Sequence, residues 1–125
     1  MTENELSRIA VNVAYDVHYK LGPGLLESVY EEIMHHELLK YDLIVDRQKG
    51  IPVIWDGLKM DLGFRADLII ENKIILELKS VETIPPVSAK QLLTYLKITG
   101  MKLGLLINFN ESLIKHGITR IVNNL

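Results

Sequence analysis

Three charged residues stand in stretches of the sequence that are otherwise mostly apolar, and their types could do chemistry together. Asp67 lies in the run 64–70, and Glu77 and Lys79 lie in the run 74–79. Charged side chains are rarely buried unless they are paired with an opposite charge or bound to a metal. The three side chains are therefore candidates for one functional site.

The strand pattern predicts how these side chains are arranged. Both runs are rich in strand-forming residues, and residues 71–73 between them are typical of a turn, which favours an antiparallel hairpin. In that register Asp67 lies directly across from Glu77, with Cβ atoms roughly 4.5–5.5 Å apart. Lys79 is two residues from Glu77 and points to the same face of the sheet. The pattern therefore predicts two carboxylates and one ammonium group at one place.

Two carboxylates and a lysine suit metal-assisted hydrolysis. Asp67 and Glu77 would supply the hard oxygen ligands that Mg²⁺ or Mn²⁺ prefers. The cation would bind a phosphate oxygen and lower the pKa of a bound water, while Lys79 would orient that water or offset charge in the transition state. The alternative is a structural ion pair between Lys79 and one of the acids. Spacing alone leaves both interpretations open, because Glu-x-Lys is a common triplet.

Two amphipathic helices are predicted at the start of the chain. Apolar residues recur at helical spacing over residues 3–21, behind a capping box formed by Thr2 and Glu5. Residues 22–24, Gly-Pro-Gly, end this helix, and a second follows over about residues 25–41. The first helix also carries a second, semi-apolar strip, which could cover the sheet or mediate formation of a homodimer. Its members are Val11, Tyr15, His18 and Tyr19.

The rest of the chain is predicted to form strands and two further helices. Asp56-Gly57 indicates a hairpin turn between strands at 51–55 and 58–70, with Gly63 a bulge or a close approach. After the strand at 74–79 we expect a helix from Pro85 to about Thr99, a buried strand at 103–108, a short helix capped by Asn110, and a strand at 118–122. A right-handed crossover should make the strand at 103–108 parallel to that at 74–79. The predicted class is α/β, in the order α-α-β-β-β-α-β-α-β, with helices on both faces of a central mixed sheet.

The motif residues resemble those of a known superfamily. Asp67 followed by Glu77-Leu78-Lys79 on the adjacent strand is similar to the metal-site motif of the PD-(D/E)XK nucleases, with Ala66 where that motif has a leading proline. The stretch 91–95, Gln-x-x-x-Tyr, resembles a motif of the exonuclease-like branch. The stretch 24–30 matches the signature of the GxxExxY proteins, a prokaryotic family of that superfamily. The resemblance extends over nearly the whole chain and implies one domain, residues 1–125, with a restriction-endonuclease-like core.

The resemblance also implies roles for the residues near the metal. Asp67 and Glu77 would be metal ligands, with the Leu78 carbonyl as a third. Lys79 would be the catalytic lysine. Glu27 would hold the metal or its water; the alternative is that Glu27 only favours the helix dipole from the first turn of its helix.

Two residues of the next helix complete the implied site. Gln91 and Tyr95 would brace it or contact the phosphate of the substrate, and they share one helix face. The alternative for Gln91 is a capping box with Ser88, three residues earlier. The alternative for Tyr95 is a place in the core.

The implied function is that of a nuclease that hydrolyses phosphodiester bonds of nucleic acid with Mg²⁺ or Mn²⁺, with DNA favoured over RNA. The alternative is a non-catalytic member of the fold that binds nucleic acid or a protein. The chain has 14 basic and 16 acidic residues and a net charge of −2, whereas proteins that bind nucleic acid mainly by charge are usually basic. Binding would then need a bound cation or a local patch, for which the candidates are Arg65, Lys79, Lys90 and Lys97.

Composition restricts the other possibilities. The absence of cysteine excludes disulfides, thiolate metal sites and cysteine nucleophiles, and fits a reducing cytoplasm. No apolar run is long enough to span a membrane, and the polar first residues do not resemble a secretory signal. We therefore expect a soluble cytoplasmic protein.

Overall fold

Three helices, five strands and one 3-10 turn make up the fold, and the computed structural model describes all 125 residues. The helices are α1 (Glu3–Leu21), α2 (Glu27–Leu39) and α3 (Val87–Thr99). The strands are β1 (Val45–Trp55), β2 (Leu58–Ile70), β3 (Ile74–Lys79), β4 (Leu103–Asn108) and β5 (Ile118–Val122). The 3-10 turn covers Ile114–Gly117. No helix combines the length and apolar character that crossing a membrane requires.

The five strands form one mixed sheet in the order β1-β2-β3-β4-β5. All neighbours are antiparallel except β3 and β4, which are parallel and are joined by α3. The predicted parallel crossover is therefore confirmed. In this arrangement β3, which carries Glu77 and Lys79, is the central strand and is covered on both faces.

Two hydrophobic cores cover the two faces of the sheet. The larger one joins α1 and α2 to side chains such as Leu76 and Ile107. The smaller one joins α3 to side chains such as Ile75 and Leu106. Neighbouring residues of a strand thus serve opposite cores, as the strand period requires. The predicted α/β class with helices on both faces is confirmed.

Several predicted boundaries differ from the structure. Thr2 and Glu5 do form the capping box of α1, but α2 is shorter than residues 25–41 and β1 begins at Val45 instead of residue 51. The short helix expected after Asn110 is wrong, since only the 3-10 turn from Ile114 forms. Residues 109–113 instead form turns and bends, and the carbonyl oxygen of Glu111 lies 2.7 Å from His18 Nε2 of α1.

The outer part of the β1–β2 hairpin has no third strand. Main-chain pairing between β2 and β3 extends only over Leu68–Ile70, so residues 50–65, here called the hairpin arm, form a two-stranded ribbon. The pairing register shifts between Ile51 and Val53. A Cβ on Gly63 would lie 2.0 Å from Val53 Cγ2, so only glycine allows this close approach, as the sequence predicts.

Candidate active site

The strands β2 and β3 separate at Asp67, and the side chain of Asp67 fills the gap. The last main-chain pair is Leu68 with Leu76, and continuing that register sets Asp67 against Glu77. Asp67 Oδ2 accepts a hydrogen bond from the main-chain N–H of Leu78 at 2.8 Å. Asp67 Oδ1 accepts one from Gln48 Nε2 at 3.2 Å. Both carboxylate oxygens of Asp67 are therefore engaged and oriented by neighbouring strands.

Glu77 has the opposite environment. Its Oε1 atom is buried and has no hydrogen-bond partner. Burial, followed by the nearby charge of Asp67, raises the pKa of Glu77 from its ordinary value of 4.5 to about 9. A buried carboxylate without donors is costly to ionise, so this atom is stable as an anion only if a cation comes to it.

Lys79 lies two residues beyond Glu77 on the same face of β3, and it forms no ion pair with either acid. Its charge lowers the pKa of Glu77, but less than burial and Asp67 raise it. The structural ion pair that the spacing left open is therefore absent. The ammonium group remains available to contact something else in the site.

The side chains that the sequence singles out for catalysis line one cavity of about 220 Å³. Glu27 comes from the first residue of α2, the two acids and Lys79 from β2 and β3, and Gln91 and Tyr95 from α3. The structure thus brings together groups that are far apart in the sequence. The lining consists of Glu27, Arg65, Asp67, Glu77, Lys79, Ser88, Gln91, Leu92, Tyr95 and Leu106.

The two groups from α3 differ in how they are held. The helix is capped by Pro86 without any side-chain bond, so the capping box of Ser88 with Gln91 is wrong, and Ser88 is buried inside the first turn. Tyr95 stacks on Phe64 with ring centroids 3.9 Å apart and planes 2° apart. Its pKa is raised by burial and then by the charges of Glu77 and Asp67. Tyr95 therefore packs through its ring, and it keeps its phenolic proton.

Glu27 reaches the cavity because the turn before α2 is fastened at two points. Tyr30 is fully buried and stacks on Phe109 with centroids 4.4 Å apart. Its hydroxyl donates to Gly22 O at 2.6 Å and accepts from the N–H of Leu25 at 3.3 Å. Ser80, the residue after β3, donates from Oγ to the carbonyl of Leu25 at 2.6 Å. These bonds fix the start of α2 against the end of β3.

A polar network behind Asp67 was missed from the sequence. Glu31 is only 6% exposed and accepts hydrogen bonds from Arg47 Nε, at 2.8 Å, and from Gln48 Nε2. Gln48 has a φ of +52°, which is rare for a residue other than glycine. A second cavity of about 210 Å³ adjoins this network and shares Glu27 and Asp67 with the first. Glu31 lies one helical turn after Glu27, which is a weak signal, and Gln48 has no sequence signal at all.

The donor atoms at this place fit a hard divalent cation. No three acidic or histidine side chains are close enough to hold an ion by themselves, so main-chain oxygen or water would have to complete the set. The Lys79 carbonyl accepts from the N–H of Phe109 at 2.9 Å on the β4 side. Successive carbonyls of a strand point to opposite sides, so that of Leu78 points towards Asp67. Two carboxylates and one carbonyl form an all-oxygen set, and the orphan oxygen of Glu77 is the atom that most needs a cation.

Comparisons with known proteins identify the family of this chain and a structure of similar fold. A family model for the PD-(D/E)XK nuclease superfamily matches residues 4–121. The crystal structure of SSO0001 is similar in fold, with a TM-score of 0.56 and 23% identity over 79% of this chain and 51% of that chain. This chain therefore spans about half the length of SSO0001, and the likeness concerns the fold alone. A comparison with curated proteins found no match.

Proposed function

This chain belongs to the PD-(D/E)XK nuclease superfamily, and we propose that it is a nuclease that hydrolyses phosphodiester bonds with Mg²⁺ or Mn²⁺. Nucleases of this superfamily generally use divalent metal ions. The observation that carries the proposal is the buried, unpartnered Oε1 of Glu77 beside Asp67, in a cavity that also receives Lys79. The residues at 24, 27 and 30 support its assignment to the GxxExxY family within that superfamily.

The proposed ion would be held by Asp67, Glu77 and the carbonyl of Leu78, with Glu27 binding the ion or one of its waters. When bound, a divalent cation supplies a Lewis acid for the phosphate and lowers the pKa of water. Asp67 presents its carboxylate in a fixed orientation, because the Leu78 N–H and Gln48 hold both of its oxygens. Glu77 has no such donors, so its side chain is the one that gains most from a cation.

Lys79 is the group that we expect to act directly on the reacting atoms. Its ammonium is not consumed by an ion pair and lies in the same cavity as both acids. It can donate a hydrogen bond to the attacking water or to a phosphate oxygen, where negative charge develops. In the dry part of a cavity such a charge has a larger effect than in bulk water.

The remaining groups would bind and orient the substrate. Tyr95 keeps its proton and can donate to a phosphate oxygen, and the exposed amide of Gln91 lines the same cavity. Arg65, at the cavity wall, donates from Nη1 to the Gln48 carbonyl at 3.1 Å, and its other guanidinium N–H groups can bind phosphate. Arg65 and Lys79 provide local positive charge in the cavity, although the net charge is −2.

The test is a cleavage screen with linear, nicked, branched and single-stranded DNA, followed by RNA, each with Mg²⁺, Mn²⁺ or chelator. Lys79→Ala should reduce cleavage by roughly 10²–10³-fold, the usual effect of removing one charge-stabilising donor. The matched control is Lys102→Ala, because Lys102 is an exposed lysine outside the cavity. Metal-dependent cleavage at the wild-type rate after Lys79→Ala would show that the products do not arise at this site, and would contradict the proposal.

A second candidate function is binding without catalysis. The net charge of −2 is compatible with binding to a protein partner. It argues against tight binding of nucleic acid by charge alone. This alternative predicts that nucleic acid or a protein partner is bound, that no substrate is cut with either metal, and that Lys79→Ala changes affinity only. A screen that yields binding without metal-dependent products would select it.

A further inference from the structure

The hairpin arm exposes an apolar surface that the rest of the chain does not cover. Beyond the three pairs of β2 with β3, β1 and β2 pair only with each other. Isolated two-stranded hairpins are marginally stable in water, and a contiguous exposed apolar patch usually marks an interaction site. On one face the exposed apolar residues of the arm are Trp55 (75%), Leu58 (63%), Met60 (37%) and Leu62 (55%), whereas Ile54 (66%) lies on the other face beside Lys59.

The two edges of the arm are not equally open to another strand. The outer edge belongs to β1, in which Pro52 has no N–H and Gln48, two residues before the arm, has a positive φ. Both features hinder pairing with another strand. The edge of β2 over residues 58–62 has no proline and no residue of positive φ. An added strand would therefore pair with β2.

The charges of the arm favour a protein over nucleic acid as the partner. The arm contains two acids, Asp56 and Asp61, and two bases, Lys59 and Arg65, so its formal charge is zero. A surface that binds nucleic acid would need an excess of basic groups to displace counterions. A strand edge with no net charge and several apolar side chains suits β-strand addition by another polypeptide.

The order of the charges identifies a second copy of this chain as the partner. Lys59 and Asp61 flank Met60. If β2 pairs antiparallel with β2 of a second copy about a two-fold axis at Met60, Lys59 of each copy faces Asp61 of the other. Leu58 then faces Leu62 across the same ladder. We propose that the hairpin arm forms a two-fold dimer through this edge of β2. The dimer does not depend on nuclease activity.

The experiment exploits the self-complementary charges. Lys59→Asp and Asp61→Lys each place like charges opposite each other at two positions of the dimer, which is destabilising. Each variant alone should dissociate about tenfold or more readily than the wild type, as seen by light scattering and sedimentation over a concentration series. An equimolar mixture of the two variants, and the doubly exchanged Lys59→Asp/Asp61→Lys protein, both restore opposite charges and should again give twice 14.3 kDa.

Further variants test whether the dimer depends on this edge of β2. Lys102→Asp makes the same charge change at an exposed site at the other end of the sheet, and should leave the dimer intact. Circular dichroism should show that all variants are folded, since both exchanged side chains are exposed. A wild type that is monomeric at every concentration would overturn the proposal. A dimer whose dissociation is unaffected by the charge changes would also overturn it. The same holds for a dimer that is lost only when Tyr19 of α1, which is 90% exposed, is changed to Lys.

Discussion

Asp67 and Glu77 lie next to each other where β2 and β3 separate, but only Asp67 has hydrogen-bond donors. Asp67 accepts from the N–H of Leu78 and from Gln48, whereas Oε1 of Glu77 has no partner. Asp67 is therefore stabilised as an anion, whereas burial and the charge of Asp67 raise the pKa of Glu77 to about 9. This asymmetry makes Glu77 the group through which pH and metal should act on the protein.

The first prediction concerns the pH dependence of stability without metal. Between about 4.5 and about 9 the unfolded chain loses a proton from Glu77 that the folded chain keeps. The unfolded state then binds fewer protons, so the free energy of unfolding falls as the pH rises through this range. Glu77→Gln removes this proton and should flatten the curve, with a gain on the order of a few kcal/mol at its alkaline end. Urea unfolding with chelator at several pH values measures both curves.

The matched control for this experiment is Glu82→Gln, because Glu82 is exposed on the loop after β3. It should leave the slope of stability against pH as it is in the wild type. Equal slopes for the wild type and Glu77→Gln would mean that Glu77 ionises at its ordinary pKa, and would remove the main argument for a cation at this place.

The second prediction separates a metal site from a purely structural acid pair. Asp67→Asn keeps the shape, but it replaces one accepting oxygen by an NH2 group that faces a donor, either the N–H of Leu78 or the amide of Gln48, so the metal-free protein should lose about 1–3 kcal/mol of stability. Metal at a hundred times its dissociation constant should stabilise the wild type by roughly 2.7 kcal/mol, and the variant should lose most of this gain. Thermal melts with chelator and with Mn²⁺ measure both effects. A wild type whose melting temperature does not respond to Mn²⁺ would defeat the metal site, whatever the stability of the variant.

The order of strands could be predicted because local signals and geometry agreed. Asp56-Gly57, the turn at 71–73 and Gly100 each end an element where the structure ends it, and the crossover rule gives the parallel pair. Because strand side chains alternate between faces, the hairpin at 71–73 also predicts that Asp67 and Glu77 meet. The resemblance then adds Glu27 and Gln91, which no local pattern connects to the strands.

The remaining features depend on tertiary contacts that have no sequence period. The bond from His18 to the Glu111 carbonyl ties the segment after β4 to α1, and no local pattern connects these two parts of the sequence. The network of Glu31, Arg47 and Gln48 is formed by two elements that approach only after folding. A positive φ at a glutamine has no propensity signal, because glutamine is not a residue that favours that region.

The third prediction concerns Tyr30 of α2, whose buried hydroxyl holds the turn before that helix. Tyr30→Phe keeps the ring that stacks on Phe109 but leaves Gly22 O and the N–H of Leu25 without their partner. The free energy of unfolding should fall by about 1–3 kcal/mol, and binding of Mn²⁺ should weaken as Glu27 becomes less fixed. Phe109→Leu is the control, since it loses the stacking but not these bonds. Urea unfolding and Mn²⁺ titration should show that only Tyr30→Phe affects both quantities.

The last prediction concerns Gln48, which holds Asp67 from behind. Its side-chain amide donates to Asp67 Oδ1 and to Glu31, and its φ of +52° directs it there. Gln48→Asn tolerates this φ but is one methylene shorter, so it should leave Asp67 without this support while barely changing the melting temperature. Substitution of a residue that orients a metal ligand usually lowers metal affinity or activity 10–100-fold. We expect a loss of this size in Mn²⁺ affinity. Lys49→Gln, at the next position and also exposed, is the control. Calorimetric titration of the metal-free proteins should show weaker Mn²⁺ binding for Gln48→Asn alone. Equal affinities for all three proteins would show that the Leu78 N–H suffices to hold Asp67.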